Sequence, residues 1–180
     1  MCMLTKTPHP LAVSCLMACM SAGQSHAAHS ALAGGGCTVV QTDEETGATD
    51  ERCPGQEGFD VIVSYDDQRQ SVSVVDGAGN VYPLDVWSVI TEGFASLGPS
   101  AEWHWAAGSK VPSALIVEVR ESAGPVHIAV AKLAPPNVCF VGNFTGASAK
   151  ERAVRVAAGA LSLPCLPPLR NDAARPEESP

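Results

Sequence analysis

Glu102-Trp103-His104-Trp105 and Leu115-Ile116-Val117-Glu118-Val119-Arg120 hold the side chains in this chain best suited to chemistry. Strand alternation puts Glu102 and His104 on one face of a strand, and Glu118 and Arg120 on one face of the next. If those strands pair, the four form one polar patch. An imidazole beside a carboxylate is an acid/base pair and a guanidinium holds anions, so the patch has the parts of a hydrolase site. The plainer reading is solvent-facing sheet, where each cross-strand charge pair contributes only about 0.5 kcal/mol. The same alternation places Trp103 and Trp105 on the opposite face. Tryptophan is a common interface anchor, yet two alternating tryptophans in a strand more often fill a core.

Elsewhere the raw material for catalysis is thin. Beyond residue 27 the histidines are His29, His104 and His127, and His127, between Val126 and Ile128, reads as structural or exposed. No serine sits in a G-x-S-x-G turn, and there is no H-E-x-x-H. Gly77-Ala78-Gly79 lacks the third glycine of a dinucleotide fingerprint. The run from Asp43 to Glu51 packs five acids into nine residues. Calcium favours such clustered oxygens, but the EF-hand spacing is missing and an exposed loop is the simpler account. No catalytic residue, metal or cofactor is assigned. Asn143-Phe144-Thr145 fits the N-glycosylation pattern and is expected to be unused.

The first 27 residues read as an export signal. Lys6 is their only charge, residues 11–22 are apolar, and Ser25-His26-Ala27 is a small-x-Ala cleavage site. The run is too short to cross a bilayer, which takes about 20 apolar residues, and no other segment is apolar enough. Leu16-Met17-Ala18-Cys19 resembles a bacterial lipobox, so the alternative is a lipid anchor on Cys19.

Export changes how the cysteines are counted. Cys37, Cys53, Cys139 and Cys165 remain after the leader, and an even number in an exported chain implies disulfides. Cys37–Cys53 and Cys139–Cys165 are the expected pairs, each the nearest in sequence. Among these four, close C-x₂₋₄-C pairs of the structural zinc type are absent. The net charge is −8, and −9 once Lys6 leaves with the leader. That argues against nucleic acid and anionic membrane surfaces as partners.

The elements that must position the patch follow in order. Residues 28–36 are small and glycine-rich, a flexible lead. Residues 59–75 alternate as a hairpin around Asp66-Asp67. Residues 85–97 carry a helical stripe (Val86, Val89, Ile90, Phe94, Leu97) behind an Asp85 N-cap. Residues 113–144 read as a three-stranded meander ending on Cys139 and Phe144. Residues 145–163 form a second helix, with Ser148 and Glu151 as a capping box and Ala149, Ala153, Val156, Ala157 and Ala160 as a small-residue stripe. Residues 167–180 are a disordered tail.

The expectation is a single α+β domain over 37–166. It has one antiparallel sheet, in β-β-α-β-β-β-β-α order, with two helices packed on one face and two disulfides as staples. The expected role is a small exported domain, periplasmic or secreted, that binds a protein or envelope component without catalysis. A hydrolase using Glu102, His104, Glu118 and Arg120, and a lipid-anchored envelope protein, are the alternatives.

Overall fold

The hairpin expected over residues 59–75 and the meander expected over 113–144 both form, but in two different sheets. The computed structural model describes residues 26–169. The leader through residue 25, with Cys19, and the tail beyond residue 169 lie outside them. In chain order the strands are β1 (Ala27–Ala31), β2 (Thr38–Thr42), β3 (Thr49–Pro54), β4 (Asp60–Asp66), β5 (Arg69–Val75) and β6 (Val81–Leu84). A one-turn helix α1 (Val86–Val89) leads into β7 (Ala95–His104), β8 (Ala114–Glu121), β9 (Val126–Lys132) and β10 (Cys139–Thr145), followed by α2 (Ala149–Ala157) and a 3₁₀ turn (Ala160–Ser162).

β2 to β6 form one sheet in sequence order, and the other runs β1-β7-β8-β9-β10; all pairings are antiparallel. The single sheet of the sequence reading is therefore corrected to a two-sheet sandwich with α2 as a third layer. Val61, Val63, Val72 and Val74 of one sheet pack with Ala101, Trp103, Leu115, Val117 and Val119 of the other. On the opposite face of the second sheet, Ala114, Ile116, Val130 and Val141 meet Ala153, Ala157 and Ala160. The alanine stripe lets α2 lie close to the strands, as its spacing implied. The two helices do not share a face. α1 carries the chain from one sheet to the other and inserts Val86 and Ile90 into the core between them.

The flexible lead is also corrected. Residues 27–31 are an edge strand along β7, and Leu32 is buried. Ala-Ala-His-Ser-Ala has no apolar alternation to announce a strand. It is held by backbone pairing and by the buried Ser30 hydroxyl, which accepts from Trp103 Nε1 at 3.0 Å. The acidic run splits. Asp43 accepts from the amides of Glu45 and Thr46 at 2.9 and 2.8 Å and closes a turn, whereas Asp50 and Glu51 lie in β3.

The first helix stops after one turn. Asp85 caps it as expected, accepting from Ser88 N at 2.9 Å. Thr91 Oγ1 then accepts from Gly93 N at 3.0 Å, and from Ala95 onward the backbone pairs with β8. Phe94, assigned to the helical stripe, is 44% exposed. Strand pairing outweighs local periodicity here, since β7 pairs with β8 from Ala95 and with β1 over Ser100–His104. Gly98 and Pro99 fall in a bulge of β7 rather than ending a helix. A Cβ on Gly98 would lie 2.8 Å from the Glu118 Cβ, so glycine is what lets the bulge approach β8.

α2 forms without the predicted capping box. Ser148 makes no side-chain cap bond, and its φ of −102° and ψ of 16° are not the extended geometry that turns a hydroxyl toward the first-turn amides. A backbone turn starts the helix instead, with Ala149 N donating to Gly146 O at 3.0 Å. Both expected disulfides form, Cys37–Cys53 and Cys139–Cys165. Among the described residues no helix is long and apolar enough to cross a membrane.

Candidate functional site

β7 carries Glu102 and His104, and pairing with β8 sets Ile116 opposite Glu102 and Ala114 opposite His104. β8 adds Glu118 and Arg120 on the same face, beside the bulge. Both strands turn this face toward α2, whose first turn supplies Lys150. β1 runs along the other side of β7 and sets His29 opposite Glu102. Together these elements surround a cleft of about 300 Å³, floored by Ile116 and Ile128 and walled by His29, Pro99, Ser100, Glu102, Glu118, Arg120 and Lys150.

Glu102 is the centre of this arrangement, with its side chain only 11% exposed. Oε1 meets His104 Nε2 at 2.6 Å, and Oε2 accepts from Lys150 Nζ. His29 Nε2 lies 3.9 Å from Oε2, too far for a hydrogen bond. Burial pushes the Glu102 carboxyl up. The hydrogen bond and charge of Lys150, and then those of His104, outweigh burial and hold it below its ordinary value. A buried carboxylate needs such partners, because removing an ion from water is costly unless it is paired.

Three of the four residues expected in the patch line the cleft: Glu102, Glu118 and Arg120. The fourth, His104, is buried behind Glu102 and orients its carboxylate. Glu118 accepts from Arg120 Nε. The tryptophan pair packs inward, the commoner outcome for two alternating tryptophans. Trp103 is fully buried and stacks on Phe59, with centroids 6.4 Å apart. Trp105 is half-buried, packs against the same core, and meets the His26 ring at 4.9 Å.

Two residues of the cleft escaped the sequence reading. His29 lay in a stretch read as flexible. Lys150 lies off the alanine stripe of α2, yet a cation in the first turn of a helix opposes the helix dipole. That mismatch was a usable sign of an acidic partner, here Glu102.

A second polar cluster lies at the other end of β8. His127 Nδ1 meets Asn143 Oδ1 at 2.9 Å and its Nε2 meets Glu121 Oε1 at 3.1 Å. Thr91 Oγ1 donates to the same Glu121 oxygen, and Asn143 Nδ2 donates to Ile90 O at 3.1 Å. The Thr91 hydrogen bond is the main reason the Glu121 carboxyl lies below its ordinary value, against a smaller upward push from burial. This cluster ties α1 to β8, β9 and β10. It also occupies the Asn143 amide nitrogen, the atom that glycosylation would modify. A larger cavity, about 470 Å³, lies between residues 54–60 and 76–79. Two of its carboxylates are engaged: Asp60 by Arg52 at 2.7 Å, and Asp76 by Asn80 and the loop amides. Among the described residues no three metal-ligating side chains converge.

Alanine at Glu102 would leave His104 buried without its partner. We expect unfolding free energy to fall by about 2 kcal/mol, less than for a fully buried pair because Lys150 is half-exposed. A depressed folded pKa stabilises above the unfolded value, near 4.5, and that stability is lost as pH falls through the folded pKa. Urea unfolding of wild type and Glu102→Ala should therefore converge in acid. A gap that does not narrow there would contradict the charge assignment.

No family model matches the chain, and neither a curated protein nor a solved structure matches it.

Proposed function

We propose that this is a small exported domain that binds a protein or an envelope component, in the periplasm or outside the cell, without catalysing a reaction. Its binding site is the cleft around Glu102. The observation that carries this reading is that each carboxylate of the cleft already faces a charged or hydrogen-bonding partner: Glu102 is held through both oxygens by His104 and Lys150, and Glu118 through one oxygen by Arg120. A catalytic base must be available to take a proton. A set of mutually paired charges over an apolar floor instead offers shape and fixed polar contacts to a ligand. Cross-linking in envelope extract tests it: a specific partner should be captured by wild type and lost with Arg120→Glu. A partner retained by that variant would move the binding surface elsewhere.

One observation favours a second reading, the hydrolase. His104 lies within hydrogen-bond reach of a carboxylate beside a concave cleft, as an acid/base pair would. Turnover of model esters, glycosides or peptides that disappears in Glu102→Gln would establish it in place of the first.

Export is supported by the two disulfides, which persist in oxidising compartments. Cleavage after Ala27 would remove two residues that the sheet uses. Ala27 pairs with His104, and His26 O accepts from Trp105 N at 3.3 Å. Processing at Cys19 would keep both. Intact mass of the protein from its host separates these outcomes: a chain from Ala28 supports the leader peptidase site, and an acylated chain from Cys19 supports the lipid anchor.

A further inference from the structure

We infer that the cleft at Glu102 binds a carboxylate carried on a short apolar body. The inference rests on the binding reading above and names its ligand. The donors facing the cleft outnumber the acceptors. Both Glu102 oxygens are taken, by His104 and Lys150, and one Glu118 oxygen is taken by Arg120. Arg120 uses only Nε for that contact, and its two terminal amino groups have no partner among the described residues. Lys150 Nζ has three hydrogens and gives one to Glu102. The His29 ring has no hydrogen bond of its own among the described residues, and lines the same wall.

A guanidinium edge left open in this way matches the two oxygens of a carboxylate. The side chains of Arg120 and Lys150 are each 53% exposed, so their charges can be reached from solvent. Glu102 and Glu118 set the charge that fits. Two carboxylates already stand among these cations, so a monoanion meets less repulsion than a dianion such as a phosphate monoester. Ile116 and Ile128 form the floor, and an apolar chain or ring bound there leaves water. The cavity of about 300 Å³ admits a small body rather than a long acyl chain.

Such a ligand has two chemical sources, a free short-chain acid or the C-terminus of a polypeptide ending in an apolar residue. Titration calorimetry of the oxidised full chain with hexanoate and with N-acetyl-leucyl-leucine represents them. Hexanamide, which lacks the charge, is the control. Binding of either acid, with affinity at least about tenfold above the amide, is expected. Arg120→Ala should abolish most of that preference, and Arg120→Lys should restore only part of it, since lysine lacks the bidentate edge. Arg120 lies on the surface, and unchanged thermal unfolding of both variants shows that the fold is intact. Equal binding of acid and amide, binding unaffected by either variant, or no binding of either acid overturns the inference. Loss of the acid site with Arg120-dependent partner capture intact would sink this inference and leave the binding reading standing. Turnover of a bound probe would do the reverse.

Discussion

Alanine at Trp103 is expected to lower the unfolding free energy by about 3–5 kcal/mol, the range for a large aromatic removed from a packed core. Folded domains are stable by only about 5–15 kcal/mol, so this change should leave a large fraction unfolded under mild denaturant. Three contacts are lost together. The indole stacks on Phe59, just before β4 of the facing sheet, and its Nε1 donates to Ser30 of the edge strand β1. A Cβ on Gly55 would sit 2.7 Å from the ring, so the 54–59 loop closes directly over it. The substitution removes the volume and leaves the buried Ser30 hydroxyl without its donor. Phenylalanine should recover most of the packing and none of the Ser30 bond. Urea unfolding of the oxidised protein measures all three forms. A loss for alanine below about 1 kcal/mol would mean that the two sheets do not close on this residue.

The second large effect is expected at the Cys139–Cys165 bridge. Replacing both cysteines with serine should cost about 3 kcal/mol, mostly through the unfolded chain that the bridge restrains. The bridge spans 26 residues and ties the start of β10 to the segment after the 3₁₀ turn. Other contacts also hold that segment, among them Leu166 N donating to Phe140 O at 2.8 Å and Lys132 Nζ donating to Leu163 O at 2.9 Å. Amide exchange in the variant should therefore quicken first at Leu163, at the Cys165→Ser position and at Leu166, while α2 stays docked through Ala149, Ala153 and Ala157. Uniform exchange across the whole sheet would instead show that the bridge supports the fold as a unit. Removing Cys37–Cys53 should cost somewhat less, because its loop is shorter, at 16 residues.

These two sites mark what the sequence made legible and what it hid. The meander was visible because β8 alternates cleanly: Leu115, Val117 and Val119 face the core between the sheets, and Ile116, Glu118 and Arg120 face the other way. The cysteine pairs followed from spacing alone. The second sheet was hidden because its missing strands carry no apolar pattern. β3 reads Thr-Asp-Glu-Arg-Cys-Pro and buries only Cys53, and β2 is exposed along its length. Such strands are specified by their partners and by a disulfide, not by their own side chains. The long first helix failed because pairing with β8 from Ala95 onward overrides the helical spacing of Phe94 and Leu97. In β9 both faces are buried, so absence of charge could not identify the core side: Ala129 and Ala131 face the other sheet, and Val130 faces α2. The cleft was half legible. Glu102, Glu118 and Arg120 were placed by alternation. Lys150 and His29 came from elements 48 and 73 positions away from Glu102, as the chain runs, brought in by packing alone.

The central claim is that the cleft at Glu102, and no other surface, is where this domain takes its ligand. Amide and side-chain NMR shifts of the labelled protein during titration with N-acetyl-leucyl-leucine test it most directly. The structure predicts perturbations at His29, Ile116, Glu118, Arg120, Ile128 and Lys150, with Arg120 Nε among the largest. Perturbations confined to the larger cavity between residues 54–60 and 76–79, or none at all, would contradict it.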